Sequence, residues 1–373
     1  MSMLLTEPQR DLESVVKDLA EGQSVSREAR RLLDAPGPYD EKLWDQLSRG
    51  MELVGLAAPE SAGGAAAGYQ TRGVVLTELG AGLVPSPYFS TAVLAVDLLA
   101  QLEGIGASAL LAKLVAGSAT ATVAAAEPGS AAWPTGNLVT EATRTPTGWA
   151  LSGRKILVVD GATAHHLIVT ARSAHDGALG FYLVERDAAG VTRQPSGGVD
   201  NTRPLAKIAL AGAPCQPLPT EDATGLLERV RDLASLALCA ELVGVQRRCV
   251  ETSVAYAKTR FQFGRAIGSF QAVKHRIADM YTRYELSLAS VRRGNSIADA
   301  DEAGSLSIAA STAHTEIARY ARWTADDTIH VHGGIGFTWE HDAHLYLRRT
   351  VASEGLLGSP DFYADRLAGL LAL

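Results

Sequence analysis

Apolar residues recur at helical spacing from Glu7 to about Ala116, as in Leu12, Val15, Val16 and Leu19 and later in Leu94, Val96, Leu98, Leu99 and Leu102. This spacing predicts a bundle of helices. Two interruptions, Ala35-Pro36-Gly37-Pro38 and the glycine-containing run from Pro59 to Gly68, read as loops, the second a flexible one. Between about Ala119 and Pro219 the pattern shortens to apolar or alternating runs: Thr120 to Ala126, Trp149 to Leu151, Ile156 to Val159, His166 to Ala171, Gly180 to Val184 and Ala206 to Leu210. Turn pairs such as Thr147-Gly148, Asp160-Gly161 and Asp176-Gly177 divide them, so a small β domain is expected. Helical periodicity then returns over 220–259, 269–297, 302–332 and 341–372, which packs most simply as a four-helix bundle. The expected fold class is therefore α+β, mostly α, with a helical domain over 1–118, a β domain over 119–219 and a four-helix bundle over 220–373. Without βαβ alternation or an early GxGxxG, a doubly wound dinucleotide fold is excluded, and any flavin must be held another way.

Composition narrows the class further. A chain of 373 residues with 47% hydrophobic content can bury a substantial core. A formal charge of -7 supplies no dominant basic face, so a nucleic-acid partner is not expected. Cys215, Cys239 and Cys249 lack CxxC spacing and read as free thiols in a reducing compartment, buried where they fall in the apolar helical stretch. Met1 to Glu21 is rich in charge, and no run of about 18 apolar residues occurs. The expected location is the cytoplasm, with no membrane partner.

Two motifs carry candidate chemistry. In Arg260-Phe261-Gln262-Phe263-Gly264, between two helices, Arg260 offers a planar fork suited to pyrophosphate. Ser269 reads as the cap of the next helix, and Gln271 adds an amide that both donates and accepts. From physics alone a solvated inter-helix loop fits equally well. In His330-Val331-His332-Gly333-Gly334-Ile335-Gly336-Phe337-Thr338, glycines let backbone approach a bound group. Two histidines followed by glycines give no third ligand at zinc-like spacing, so no metal is expected, and His341 and His344 read as helix-surface residues.

The stretch from Tyr256 to Met280, with Arg260, Phe263-Gly264, Phe270-Gln271 and Ala278-Asp279-Met280, resembles the acyl-CoA dehydrogenase signature almost position by position. The resemblance implies that Arg260, Phe263 and Gln271 contact FAD across a subunit interface. The second motif is similar to the family's Gln-x-x-Gly-Gly-x-Gly-Phe-Thr, with His330 in place of Gln and Gly333-Gly334 against the FAD pyrophosphate and adenosine. Trp44, Pro59-Glu60, Gly63-Gly64, Glu78-Leu79-Gly80 and Pro85-Ser86-Pro87 extend it into the amino-terminal part. It implies an FAD-dependent α,β-desaturation of an acyl-CoA thioester, with electrons passed to an electron-transfer flavoprotein.

The family pattern is also broken in places. A base must reach the substrate α-carbon, and many members carry it in Tyr-Glu-Gly-Thr late in the last bundle. Here that region reads Arg348 to Gly358, with Glu354 about one helical turn early, a miss of roughly 5 Å. Other members place the base 26 residues before the motif arginine, which is Ala234 here. Glu241, seven residues on and nearly on the same face, is the only carboxylate between Leu233 and Val245. It is the candidate catalytic base, or else the buried partner of Arg247, Arg248 or a residue of another subunit. The segments that hold the flavin ring in the family correspond to Ala126-Glu127-Pro128 and Leu157-Val158-Val159, without the expected hydroxyls and indole.

Kept interface residues beside an eroded flavin-ring pocket resemble the paired α2β2 acyl-CoA dehydrogenases of actinobacterial steroid side-chain degradation, in which a homologous subunit completes the site. Other readings stay open. One is a self-sufficient homotetramer with Glu241 as base, and another is a non-catalytic acyl-CoA-binding or scaffold protein. Flavin monooxygenases and nitroalkane oxidases share the fold.

Overall fold

The computed structural model describes residues 4–22, 25–34, 39–130, 132–134, 136–302 and 304–373. Ala35-Pro36-Gly37-Pro38, expected as a loop, lies outside them. The first layer comprises α1 (Glu7–Gly22), α2 (Val25–Asp34), α3 (Glu41–Asp45), α4 (Gly68–Ala81), α5 (Val96–Leu99), entered through a π-wound turn at Phe89–Ala95, and α6 (Ile105–Val115). The run from Pro59 to Gly68, expected to be flexible, is instead pinned by backbone. Gly64 N donates to Pro59 O at 3.1 Å, Ala65 N to Gly55 O at 2.9 Å and Ala66 N to Ala58 O at 2.9 Å.

Seven strands follow: β1 (Ala121–Ala124), β2 (Glu141–Thr145), β3 (Gly148–Val159), β4 (His166–Ser173), β5 (Leu179–Glu185), β6 (Val191–Ser196) and β7 (Leu205–Leu218). The pairings run β4-β2-β3-β7-β5 and return to β4, so the sheet closes into a small barrel, with β1 added parallel to β4 and β6 added to β7. Leu151, Val158, Leu167, Val169, Tyr182, Val184, Ile208 and Leu210 fill its core. Closure removes sheet edges that would otherwise recruit other strands. The two runs Trp149 to Leu151 and Ile156 to Val159 belong to one strand, bulged between Lys155 and Val158, where Leu157 has φ 52°. Strands β2 and β6 were not expected, because their side chains are largely exposed and leave little apolar alternation.

The carboxy-terminal part is built from α7 (Ala223–Thr259), a short hairpin β8 (Phe261–Gln262) and β9 (Arg265–Ala266), then α8 (Gln271–Ala300), α9 (Ser305–His332), α10 (Ala343–Glu354) and α11 (Pro360–Leu370). Asp222 caps α7 by accepting from Gly225 N at 2.8 Å. The expected last helix is two helices. Gly355 and Gly358 break it, the latter at φ 128°, and Ser359 with Pro360 restarts it, the serine accepting from Phe362 N. Ser269 does not cap α8: it ends a 3-10 turn, and Phe270 occupies the cap position without a side-chain bond.

Helix α7 runs through the centre, packed on α4, α8 and α9. Its crossing with α4 depends on two glycines. A Cβ on Gly80 would fall within 3.0 Å of the Glu241 backbone, and one on Gly244 within 3.0 Å of Thr77 O and Ala81 N. This contact fixes the height at which Glu241 enters the interior. No helix among the described residues is long and apolar enough to cross a membrane.

Candidate active site

The helix α7 ends where Thr259 gives way to the hairpin, whose turn places Phe263 at φ 52° and Gly264 at φ 76°. Ile267 N donates to Arg260 O at 2.8 Å and closes the hairpin base, so the turn is held out from the bundle. Phe263 is 91% exposed, with only an edge contact to Phe270, whose face carries the Arg265 guanidinium at 4.0 Å. Arg260 is exposed with no ion-pair or side-chain hydrogen-bond partner among the described residues, and Gln271 is the exposed first residue of α8.

The glycine motif lies at the same end of the bundle. Helix α9 stops at His332 because Gly333 takes φ 61° and ψ -139°, and a 3-10 turn over Gly333–Phe337 follows. His332 donates from Nδ1 to Thr328 O at 2.8 Å, and its ring stacks on Tyr256 of α7 at 4.5 Å. That stack joins the two motifs, since Tyr256 is the last turn before Arg260. A Cβ at Gly333 or Gly334 would meet nothing within 4 Å, so this backbone faces open space. His330 is exposed, with Nδ1 on Asp326 O at 2.9 Å, which leaves Nε2 outward. The histidines expected on a helix surface are partly covered instead. The His341 ring packs at a tilt of 44° against His332 with centroids 4.3 Å apart, and His344 meets Trp339 edge-on at 4.9 Å.

The interior candidates have a different character. Glu241 is 6% exposed and bonded to Arg203 Nη2, with Arg349 Nη1 at 3.9 Å. Arg203 also donates to Ser353 Oγ at 3.1 Å and lies over the Phe89 ring at 4.9 Å. Arg349 donates to Asp200 Oδ2 at 2.6 Å and to Thr202 Oγ1 at 2.5 Å. Asp200 is held below the usual carboxylate range: burial pushes it up, but Arg349, Thr202 and Arg203 outweigh that. The space bordered by Phe89, Val159, Arg203, Glu241 and Arg349 is about 10 Å³, room for about one water and for no acyl chain. The arginines expected beside Glu241 are engaged elsewhere, Arg247 with Glu78 at 2.6 Å and Arg248 with Glu21 at 3.0 Å. Glu354 ends α10 and pairs with Arg322 at 3.4 Å.

At the segments expected to face a flavin ring, Ala126, Val158 and Val159 are buried and offer no polar side chain. Glu127 is turned inward. Its carboxylate takes Lys155 Nζ at 2.7 Å, Val139 N at 2.6 Å and Thr140 N at 3.0 Å. Burial raises its pKa and these donors lower it, with a net lowering, while burial pushes Lys155 down to about 8 against the pull of Glu127. Cys239 and Cys249 are buried free thiols, but Cys215 on β7 is only half-buried.

The donor sets fit one half of FAD and not the other. A free guanidinium, a free amide and an open diglycine backbone suit a pyrophosphate and adenosine. The ring segments leave no side-chain group for a flavin ring, since the Glu127 carboxylate is taken up by Lys155, Val139 and Thr140, and each hydrogen bond so forgone is worth about 1 kcal/mol.

Known proteins of similar sequence and shape share this architecture. Residues 6–125 match the amino-terminal domain, and residues 232–368 the carboxy-terminal domain, of acyl-CoA dehydrogenases. The acyl-CoA dehydrogenase IpdE2 of Mycobacterium tuberculosis is 32% identical over 97% of this chain and 96% of its own. FadE34 of the same organism is 38% identical over 86% of this chain, which spans only 41% of that longer protein. Among solved structures, a variant of the Tcur3481-Tcur3483 steroid acyl-CoA dehydrogenase superposes with a TM-score of 0.87 at 31% identity over 98% of each chain. The ChsE4-ChsE5 complex of Mycobacterium tuberculosis superposes with a TM-score of 0.88 at 27% identity over 100% of this chain and 99% of the other. The chain belongs to the acyl-CoA dehydrogenase family, oxidoreductases that act on the CH-CH bond of acyl-CoA thioesters.

Proposed function

We propose that this chain is one subunit of a heteromeric, FAD-dependent acyl-CoA dehydrogenase whose active site is completed by a homologous subunit. The observation that carries this reading is the contrast between the carboxy-terminal end of α7 and its middle. Near the end, Arg260, Phe263, Gln271, His330, Gly333 and Gly334 all stand exposed at the surface. Further back, Glu241 is clasped by Arg203 in a space of about 10 Å³. Such an enclosure favours a counter-ion role for Glu241 over that of a base, which must touch a substrate α-carbon. FAD, when bound, supplies the hydride acceptor. This chain's part is to clamp its ADP half, while the partner supplies the ring pocket and the carboxylate base.

Steroid side-chain acyl-CoA is the substrate class favoured by the likeness to the Tcur3481-Tcur3483 enzyme. An electron-transfer flavoprotein as electron acceptor, an α2β2 assembly and a cytoplasmic location complete the reading. Co-expression with a homologous subunit, followed by flavin quantification and desaturase assay, tests it. The assembly should hold flavin and turn over while the chain alone does neither. Intact acyl-CoA binding with no flavin in any assembly would instead mark a scaffold.

A further inference from the structure

The buried polar cluster contains one carboxyl group, Asp160, that forms no ion pair among the described residues. Asp160 sits in the turn after β3 at φ 53°, fully enclosed, its amide donating to Pro204 O at 2.9 Å and its carbonyl accepting from Thr163 N and Ala164 N. Around it lie Arg203 and Arg349, but Arg349 is bonded to Asp200 and Arg203 to Glu241. Two guanidiniums therefore serve two of the three carboxyls. Tyr39 approaches from before α3, and Arg193 of β6 reaches the same turn only through the carbonyls of Gly161 and Ala164.

The side chain's hydrogen bond is to Ser90, with Oγ to Oδ2 at 2.6 Å, and Ser90 Oγ also lies 3.1 Å from Pro87 O. Ser90 has one proton and these are two acceptors. With an ionised Asp160 the single Ser90 hydrogen must be shared between the two acceptors, whereas a protonated Asp160 donates to Ser90 Oγ and lets Ser90 donate to Pro87 O, giving two full hydrogen bonds. We infer that Asp160 is a neutral carboxylic acid in the folded chain, and that the Asp160-Ser90-Pro87 relay is a proton-dependent clasp joining the β barrel to the helix that begins at Phe89.

Burial pushes Asp160 up to about 7, against the opposing pull of Ser90, Arg203 and Arg349, in accord with that geometry. The sign follows from linkage. A carboxyl whose pKa rises on folding makes the folded state bind the extra proton, so stability falls as pH increases from the unfolded value near 3.8 to about 7. On ionisation the two Ser90 contacts share one hydrogen and an unpaired charge is enclosed, which loosens the barrel on the helices beside Phe89, Arg203 and Glu241. No part of this inference depends on which subunit holds FAD.

The test uses the full chain and its Asp160→Asn variant, whose amide can donate to Ser90 as the protonated acid does. Between about pH 4 and 7 the ratio of the two folding equilibrium constants should change close to tenfold per pH unit in favour of the variant, from urea unfolding. A ratio constant with pH would overturn the inference. Infrared spectra of the folded protein near pH 6 provide an independent arm should the variant fail to fold. A protonated-carboxyl carbonyl stretch should be present and should shift to higher frequency in Ser90→Ala. Absence of a band sensitive to Ser90 would mean that Asp160 is ionised and the clasp does not exist.

Discussion

Replacing Glu241 by Gln separates a counter-ion from a base. In the structure Glu241 accepts from Arg203 while Arg349 stands 3.9 Å away and keeps its own partner, Asp200. The amide preserves volume and leaves Arg203 one neutral acceptor plus Ser353, but it removes the charge that balances a guanidinium 8% exposed. Removing one member of a buried pair costs about 3–5 kcal/mol. For a chain of 373 residues that corresponds to a loss of about 4–6 °C in Tm. Pairing Glu241→Leu with Arg203→Met should recover most of the loss, because an apolar pair of similar volume needs no counter-charge. Scanning calorimetry of the assembled enzyme, with turnover measured below the transition, reads both effects. Unchanged Tm with abolished turnover and retained flavin would refute the counter-ion role and make Glu241 the base.

Further expectations concern the scaffold and the exposed motifs. Gly244→Ala forces a Cβ into the Thr77 and Ala81 backbone, and should cost about 3 kcal/mol or more in urea unfolding. Burial pushes His314 down to about 4 while it contacts Ser235 Oγ at 2.9 Å and stacks on Tyr363 at 4.1 Å. The unfolded state therefore binds the extra proton between about pH 6.5 and 4, so stability is lost as pH falls through that window, by about 3 kcal/mol in all. His314→Gln should lack this loss relative to the parent chain, in unfolding curves compared at each pH. Arg260→Ala should leave Tm unchanged, since the side chain is exposed, and should weaken FAD binding in the assembly by roughly 10- to 100-fold as one charge-assisted contact is lost. Flavin retention on dilution reads that change.

Much of this architecture was legible in the sequence because periodicity is a local signal. The long helices α7, α8 and α9 follow their apolar spacing closely. What escaped was set by context. The exposed strands β2 and β6 exist because the barrel closes around them, not because their own residues alternate strongly. Glu241 was identifiable as a lone carboxylate in an apolar run, but its partners are not neighbours in sequence: Arg203 lies 38 residues away and arrives by way of the barrel. The nearby Arg247 and Arg248 face α4 and α1, where they pair with Glu78 and Glu21. Asp160 gave no signal beyond a turn dipeptide, since its enclosure depends on three separate parts of the chain. The exposed motifs, by contrast, needed only their own residues, and the Tyr256-His332 stack brings two segments far apart in sequence to the same end of the bundle.

The central claim is that this chain contributes the ADP clamp to a flavin site that another subunit completes. Its most direct test is the flavin content of the purified assembly, counted per chain, with and without Arg260→Ala in this chain alone. The shared-site account expects fewer flavins than chains in the parent assembly and a further loss in the variant, with no flavin on the isolated chain. One flavin per chain on the isolated protein, with desaturase activity, would contradict it.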